Sequence, residues 1–392
     1  MNTLKIAQFV DTFYPKIDGV VRVVDNYAAY LNSYDDIDCC VFCPEVKKNY
    51  KDCMSYDVIR TKSLPLLSDY RMPAPGLSKA PKHAFNEIKP DLVHAHSPFT
   101  LGHYGLTLAR QRGIPFVTTF HSKYYEDFLL RSHSKFISQK LVNYIVRFYN
   151  RADSVWTVGE STAETLRSYG YRGEIVIMDS ATTMTYPDNP EEYRKLLSDR
   201  FSIPKKGKNL IFVGRITNQK NLYFMLDTLC CIKDKEIRLI IVGDGTELQA
   251  LKQYADKKGI SDRVFFTGEI SDPRLLTGLY LESDLVFFPS KYDTATLVAR
   301  EAGALKVPTI MIRGCNSADL IKENRNGFLC DEVPSSAAAA IEKLFSSRET
   351  LIKAGQAASE TIGTSWADRM PEVVKKYREI IEDYASAGPK LV

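Results

Sequence analysis

Twice in this chain an apolar run breaks into a glycine-bearing loop that leads straight into a helix. The first is Thr3 to Val10, then Asp11-Thr-Phe-Tyr-Pro-Lys-Ile-Asp-Gly19, then a helix to about Asn32. The second is Asn209-Leu-Ile-Phe-Val-Gly-Arg-Ile-Thr-Asn-Gln-Lys-Asn221. Strand, glycine loop and helix open a doubly wound α/β domain, whose ligands bind at the carboxyl ends of the strands. A length of 392 residues exceeds one ordinary core. Two domains are therefore expected, 1–185 and 186–365, parted by the polar, proline-containing stretch Ser180–Pro190. A long amphipathic helix from Trp366 to about Ala385 is expected to pack back across the first domain. Neither opening carries the full G-x-G-x-x-G fingerprint, which argues against a nicotinamide dehydrogenase. Gly19 either serves its turn or lets a ligand approach the backbone.

The first half continues with strands near Asp38–Cys43 and Val58–Arg60 and a helix near Ala80–Ile88. Asp91-Leu-Val-His-Ala-His-Ser-Pro-Phe99 and Ile114-Pro-Phe-Val-Thr-Thr-Phe-His121 are strands that end in histidines, His96 and His121. A strand-end histidine is more often a packed, hydrogen-bonded residue than a catalytic one. His94 and His96 share a face, but no third ligand or carboxylate accompanies them, so no metal is expected. Arg131 to Arg151 carries Lys and Arg without an acid, including Lys135, Lys140 and Arg147. Phe136, Ile137, Leu141, Tyr144, Ile145 and Phe148 recur there at helical spacing. Such a helix either lies at an anionic membrane surface or turns its apolar stripe to the core, and both can hold in part.

In the second half, Arg215 closes a strand beside Gly214, and Lys220 is expected in the first turn of the next helix. Cations at a helix start face a positive dipole, so a pair of them there points to an anion between them. A guanidinium and an ammonium suit a pyrophosphate; a lone Lys220 would merely reach solvent. Val242-Gly243-Asp-Gly245 resembles a nucleotide loop. Gly268-Glu-Ile270, at another strand end, offers backbone groups to a base. Asp284-Leu-Val-Phe-Phe-Pro289 reads as a buried strand, followed by a helix from about Thr296 to Leu305. Leu297, Glu301 and Leu305 lie on one stripe of it. A carboxylate there is costly unless something hydrogen-bonds it. Asp293 lies just ahead of the helix. As structural residues, Asp293 would cap the helix and Glu301 would pair with Arg300 or a neighbouring strand.

The 44% hydrophobic and 26% charged composition is that of a soluble globular chain. A formal net charge of +4 carries no global field for nucleic acid or another polyanion, so any basic surface is local. Cys40-x-x-Cys43 lacks the second pair a zinc site needs. The other cysteines sit mostly in apolar runs, as free thiols of a reducing compartment do. The start of the chain reads as a strand and not as a signal peptide, so a cytoplasmic protein is expected.

Taken together, Asp18-Gly-Val, Asp91-Leu-Val-His-Ala-His-Ser-Pro-Phe, Thr118-Thr-Phe-His121, Val213-Gly-Arg-Ile…Gln-Lys-Asn221, Val242-Gly-Asp-Gly and Asp293-x7-Glu301-Ala resemble the family-4 retaining glycosyltransferases. The paired acids are the most specific of these marks. The resemblance implies two Rossmann-like β/α/β domains facing across a cleft, the GT-B architecture. The first would bind the acceptor and the second the nucleotide sugar. His121-Ser-Lys-Tyr-Tyr-Glu-Asp-Phe with its basic helix is similar to the diacylglycerol glucosyltransferases that make bacterial glycolipids.

That resemblance implies a role for each residue. Arg215 and Lys220 would hold the donor diphosphate and Glu301 the ribose hydroxyls. Asp293 would face the transferred sugar, and amides near Leu297 and Val298 would meet the phosphate. His121 would touch the donor sugar, and Gly19 would let its loop close over the phosphates. Gly214, Gly243 and Ile270 complete the donor-binding set; Lys135, Phe136, Lys140, Tyr144 and Arg147 make the acceptor and membrane face. The reaction implied is transfer, with retention, of a hexose such as glucose from UDP-glucose to a lipid such as diacylglycerol. It would need no metal and no further cofactor, on the inner face of the cell membrane. Three departures stand out: Asp293 for the usual glutamate, Thr296 for a usual glycine, and Met178-Asp-Ser-Ala-Thr for a usual Asn-Gly turn. A polyprenyl-linked or polysaccharide acceptor is the alternative; a catalytically weak sugar-nucleotide-binding or scaffold protein is a second.

Overall fold

The computed structural model describes residues 3–46, 50–65, 71–201, 208–291 and 296–387, with Asn316 as backbone only. The chain divides into two compact units. One holds residues up to Ser180 together with those from Trp366 onward; the other runs from Ala181 to Ser365.

In the first unit the strands are β1 (Leu4–Phe9), β2 (Ile37–Pro44), β3 (Val58–Thr61), the short β4 (Ser63–Pro65) and β5 (Arg71–Pro73), β6 (Leu92–Ala95), β7 (Phe116–Phe120), β8 (Ser154–Thr157) and β9 (Val176–Ile177). Its helices are α1 (Gly19–Leu31), α2 (Ala80–Ile88), α3 (Thr100–Arg112), α4 (Tyr124–Ser132), α5 (Lys135–Tyr149) and α6 (Glu160–Ser168). Seven strands form one sheet in the order β3-β2-β1-β6-β7-β8-β9, and each neighbouring pair is parallel. β4 and β5 pair antiparallel on their own. The chain starts in the middle, builds outward on one side, then returns to build on the other. That reversal lies between β1 and β6, where the loops leaving the two strands diverge and open a crevice.

The C-terminal helix, Trp366–Ala387, belongs to this unit. It is seated by large buried side chains rather than by its charges. Tyr377 stacks on Trp156 with ring centroids 5.2 Å apart, and Trp366 meets Tyr27 edge-on at 5.4 Å. A buried phenol needs a partner. Tyr377 Oη has one in His94 Nδ1, at 2.6 Å.

The second unit contains β10 (Lys208–Val213), β11 (Ile237–Val242), β12 (Val264–Gly268), β13 (Leu285–Phe288), β14 (Thr309–Ile312) and β15 (Gly327–Cys330). With them come α7 (Pro190–Arg200), α8 (Leu222–Cys231), α9 (Leu248–Lys258), α10 (Pro273–Leu281), α11 (Leu297–Ala304), α12 (Pro334–Phe345) and α13 (Arg348–Thr361). All six strands are parallel, in the order β12-β11-β10-β13-β14-β15. Their residues are buried almost continuously, because helices cover both faces of such a sheet. The reversal here falls between β10 and β13.

The exits of β10 and β11 touch backbone to backbone. Gly243 has φ +136°, and a Cβ placed on it would lie 2.0 Å from the carbonyl oxygen of Gly214. Gly214 N–H donates to Val242 O, and Ile216 N–H to Asp244 O. Gly243 is thus demanded by packing, whether or not a ligand also uses the space. Gly243→Ala is expected to cost roughly 3 kcal/mol, from a forbidden backbone angle plus a clash with fixed main chain. Chemical unfolding of the variant measures it.

Candidate active site

At the reversal of the second sheet, β10 ends in Gly214 and Arg215. Arg215 is exposed, but its neighbours are not free to move. Ile216 is fully buried, donates its N–H to Asp244 O and accepts from Glu247 N. The guanidinium is therefore presented from an anchored turn. Lys220 departs from expectation: it closes a short 3-10 turn, Asn218–Lys220, and is not in the first turn of α8. The cause is Asn221, which takes the left-handed conformation at φ 57° and separates turn from helix. The ammonium of Lys220 lies over the ring of Phe288, 5.6 Å from its centroid. Since Phe288 is the last residue of β13, this cation sits across the reversal itself.

The loop after β13 is tied to the same place. Ser290 donates its hydroxyl to Gln219 O at 3.3 Å and accepts, at its own carbonyl, the hydroxyl of Ser317 at 3.1 Å. Thr296 precedes α11, and Leu297 and Val298 are its first two residues. Amides at a helix start have no carbonyl one turn back to bond, and they carry the positive end of the helix dipole. Glu301 is buried, and Tyr280 donates its hydroxyl to Glu301 Oε2 at 2.9 Å. That phenol was not foreseen from the sequence, although Tyr280 stands next to last in a mostly apolar helix. Asp293 lies outside the described residues. Gly243 and the half-buried Ile270 belong to the exits of β11 and β12, farther along the same edge of the sheet. Gly214, Arg215, Lys220, Leu297, Val298 and Glu301 are brought to the reversal by neighbouring strands. Cations and helix-start amides at the exits of adjacent strands are groups that suit an anion such as a diphosphate.

The first unit places His96 and His121 just beyond β6 and β7, with His96 Nδ1 3.1 Å from His121 Nε2. Both are buried, and burial holds both imidazoles neutral; His121 is pushed down to about 3. His94 is committed to the core, with Nδ1 on Tyr377 and Nε2 2.7 Å from Thr119 Oγ1. Asp11 is a functional candidate that sequence reasoning passed over as a loop residue. Its carboxylate accepts from Ser97 Oγ at 2.6 Å and from Leu101 N at 2.9 Å. It thereby pins the exit of β1 to the start of α3. Burial raises its pKa to about 6 against the pull of those donors. Gly19 opens α1, with Asp18 capping the helix by accepting from Val21 N at 2.9 Å. A Cβ on Gly19 would meet nothing within 4 Å, so packing does not require glycine there.

The basic run divides into two helices. His133, at φ 51°, ends α4, and Ser134 caps α5 by accepting from Ile137 N. On α5, Val142, Ile145, Phe148 and Tyr149 are buried. Phe136 (68% exposed), Tyr144 (52%), Ile137 and Leu141 face outward instead. Lys140 lies over the Phe136 ring at 4.5 Å, and Lys135, Lys140 and Arg147 are exposed on the same helix. No helix among the described residues is long and apolar enough to cross a membrane.

Two parallel, doubly wound sheets, one of them with Arg215, Lys220 and the start of α11 at the strand exits of its reversal, define a two-domain α/β protein. The Glycosyltransferase Family 4 model matches residues 17–178, and the Glycosyl transferases group 1 model matches residues 194–361. The chain is 27% identical over 359 residues to an alpha-monoglucosyldiacylglycerol synthase of Streptococcus pneumoniae, covering 87% of this chain and 78% of that one. It is 25% identical over 341 residues to a GDP-mannose-dependent alpha-mannosyltransferase of Corynebacterium glutamicum, covering 85% and 78%. Among solved structures, a sucrose-phosphate synthase from Thermosynechococcus elongatus shares the fold, with a TM-score of 0.81 at 18% identity over 97% of this chain and 99% of the other. The chain belongs to the family-4 glycosyltransferases, of GT-B type. It is similar to the diacylglycerol glucosyltransferases among them.

Proposed function

We propose that this glycosyltransferase moves glucose, with retention, from UDP-glucose to a diacylglycerol-type lipid on the inner face of the cell membrane. The observation that carries the lipid part is the outer face of α5. A helix that buries one apolar stripe has no packing reason to expose Phe136, Ile137, Leu141 and Tyr144 beside three cations. Aromatic and aliphatic groups that enter the headgroup boundary, with Lys and Arg against anionic lipid, are the chemistry of an interfacial helix. The similarity to a monoglucosyldiacylglycerol synthase supports the same acceptor and the glucose.

In this reading Arg215, Lys220 and the amides of Leu297 and Val298 take the diphosphate, and Glu301 takes the ribose hydroxyls. The family resemblance assigns Asp293 and His121, each separately, to the transferred sugar. Gly19, Gly214, Gly243 and Ile270 provide backbone approaches. Negative charge grows on the diphosphate as the sugar leaves, and fixed cations and amides stabilise it without reorganising. Those cations stand where a divalent ion would otherwise be needed, so a chelator should leave transfer intact.

A GDP-mannose donor is the second reading, favoured by the similarity to a mannosyltransferase. Purified chain would be given UDP-glucose or GDP-mannose with vesicles of phosphatidylglycerol and diacylglycerol. A glucolipid from UDP-glucose is expected, together with co-flotation on anionic vesicles. The double variant Phe136→Ser/Lys140→Glu should bind vesicles at least about tenfold more weakly at unchanged melting temperature. Transfer from GDP-mannose alone would sink the donor assignment. Transfer only to a soluble saccharide would sink the acceptor.

A further inference from the structure

His96 has no place in the donor-binding set, yet its ring is within hydrogen-bond distance of that of His121. Its backbone N–H donates to Phe9 O at 2.9 Å, which anchors it at the exit of β1. Its ring is buried, tilted 30° to that of His121 with centroids 5.3 Å apart. Between the rings lies one hydrogen bond, His96 Nδ1 to His121 Nε2 at 3.1 Å. His96 Nε2 is buried with no partner among the described residues.

A neutral imidazole has one N–H and one bare nitrogen. Two arrangements therefore satisfy the contact. If His121 Nε2–H donated, His96 would carry its own proton on Nε2 and leave a buried N–H without an acceptor. If His96 Nδ1–H donates, the orphaned atom is only a bare acceptor. Orphaned buried N–H groups are rarer than under-satisfied acceptors, so the second arrangement prevails.

We propose that His96 is a positioning residue whose Nδ1–H donates to His121 Nε2 and fixes His121 as the Nδ1–H tautomer. In that tautomer the Nε2 lone pair of His121 is spent on His96 and its proton is carried on Nδ1. The role in transfer rests on the assignment of His121 to the sugar made above; the tautomer does not. The same device fixes ring orientation, because Nε2 is held in place by an anchored neighbour.

The test is nitrogen-15 NMR of the full chain labelled on histidine, read without substrate, where the two ring nitrogens of a neutral histidine are distinguished by their long-range couplings. Wild-type His121 is expected as the Nδ1–H tautomer. His96→Asn keeps a donor on the same Cγ substituent and should preserve that tautomer. His96→Leu removes it, and should lower kcat about tenfold with little change in the KM for UDP-glucose; His96→Asn should restore most of that loss. A wild-type spectrum with His121 protonated on Nε2 overturns the proposal even if no variant folds. Equal kcat in His96→Leu and His96→Asn, both well below wild type, overturns it as well. Undiminished transfer by His121→Ala would instead overturn the assignment of His121 to the sugar, with the tautomer result still standing.

Discussion

Arg215→Ala is expected to lower kcat two to three orders of magnitude, with a smaller change in the KM for the donor. The reasoning is electrostatic. A diphosphate already bears charge in the ground state, but more gathers on the departing oxygen as the glycosidic bond breaks. A guanidinium aimed at that oxygen therefore binds the transition state better than the substrate, and such selective binding appears in kcat. Lys220→Ala should follow the same pattern. The double variant should lose less than the product of the two single losses if both cations serve one leaving group. Arg215→Lys should recover only part of the rate, since an ammonium cannot bond two phosphate oxygens in the plane of a guanidinium. The fold should survive. Arg215 is exposed, and the turn is held by Gly214 and Ile216 through bonds to Val242, Asp244 and Glu247 that its side chain does not enter. Steady-state transfer with UDP-glucose, beside melting curves, makes the measurement. Unchanged kcat in Arg215→Ala would mean that the anchored turn serves something other than the leaving group.

Why the two strands that flank the reversal of the second sheet were legible from the chain, and other parts were not, comes down to range. Val213-Gly-Arg and Asp284-Leu-Val-Phe-Phe-Pro289 are local signals, an apolar run and then a break, whereas the order of the strands in the sheet is not written in either stretch. Glu301 was conspicuous for a local reason too, as a carboxylate on an apolar stripe. Lys220 was expected in the first turn of α8 and lies two residues before it, because nothing in Gln-Lys-Asn announces a left-handed Asn221. The partner of Glu301 lies 21 positions away on α10, and helical periodicity is silent on that. On α5 the apolar spacing could not separate Ile145 and Phe148, which are buried, from Phe136 and Tyr144, which are not. A helix apolar on two sides shows which side is core only when its neighbours are known. The His96–His121 contact needs β6 beside β7, and Asp11 needs β1 beside β6. Both are properties of sheet order, not of any single stretch.

Acidification from pH 6.5 to pH 5 is expected to destabilise the first unit by roughly 4 kcal/mol through its fully buried ionisable groups. His94, His96 and His121 are buried and neutral. Burial holds the first two well below the ordinary histidine value of 6.5, and His121 at about 3. In the unfolded chain each takes up a proton below its ordinary value; in the folded unit none does across this window. The unfolded state thus binds more protons, and stability present above pH 6.5 is lost as pH falls. Asp11 works the other way. Its carboxyl is raised from 3.8 to about 6, so the folded state binds the extra proton and gains as pH falls through 6. Three protons against one leave a net uptake of roughly two on unfolding near pH 5. The unit carries its own reporter, because both tryptophans of the chain, Trp156 and Trp366, are buried in it and Trp156 lies 5.1 Å from His94. Urea unfolding followed by tryptophan fluorescence should show a midpoint that drops steeply between pH 6.5 and 5. His96→Asn should make the slope shallower by about one proton, and Asp11→Asn should make it steeper by about one. A midpoint that stays level across the window, or moves the same way in both variants, would mean that these groups are not the ones that burial holds out of their ordinary protonation states.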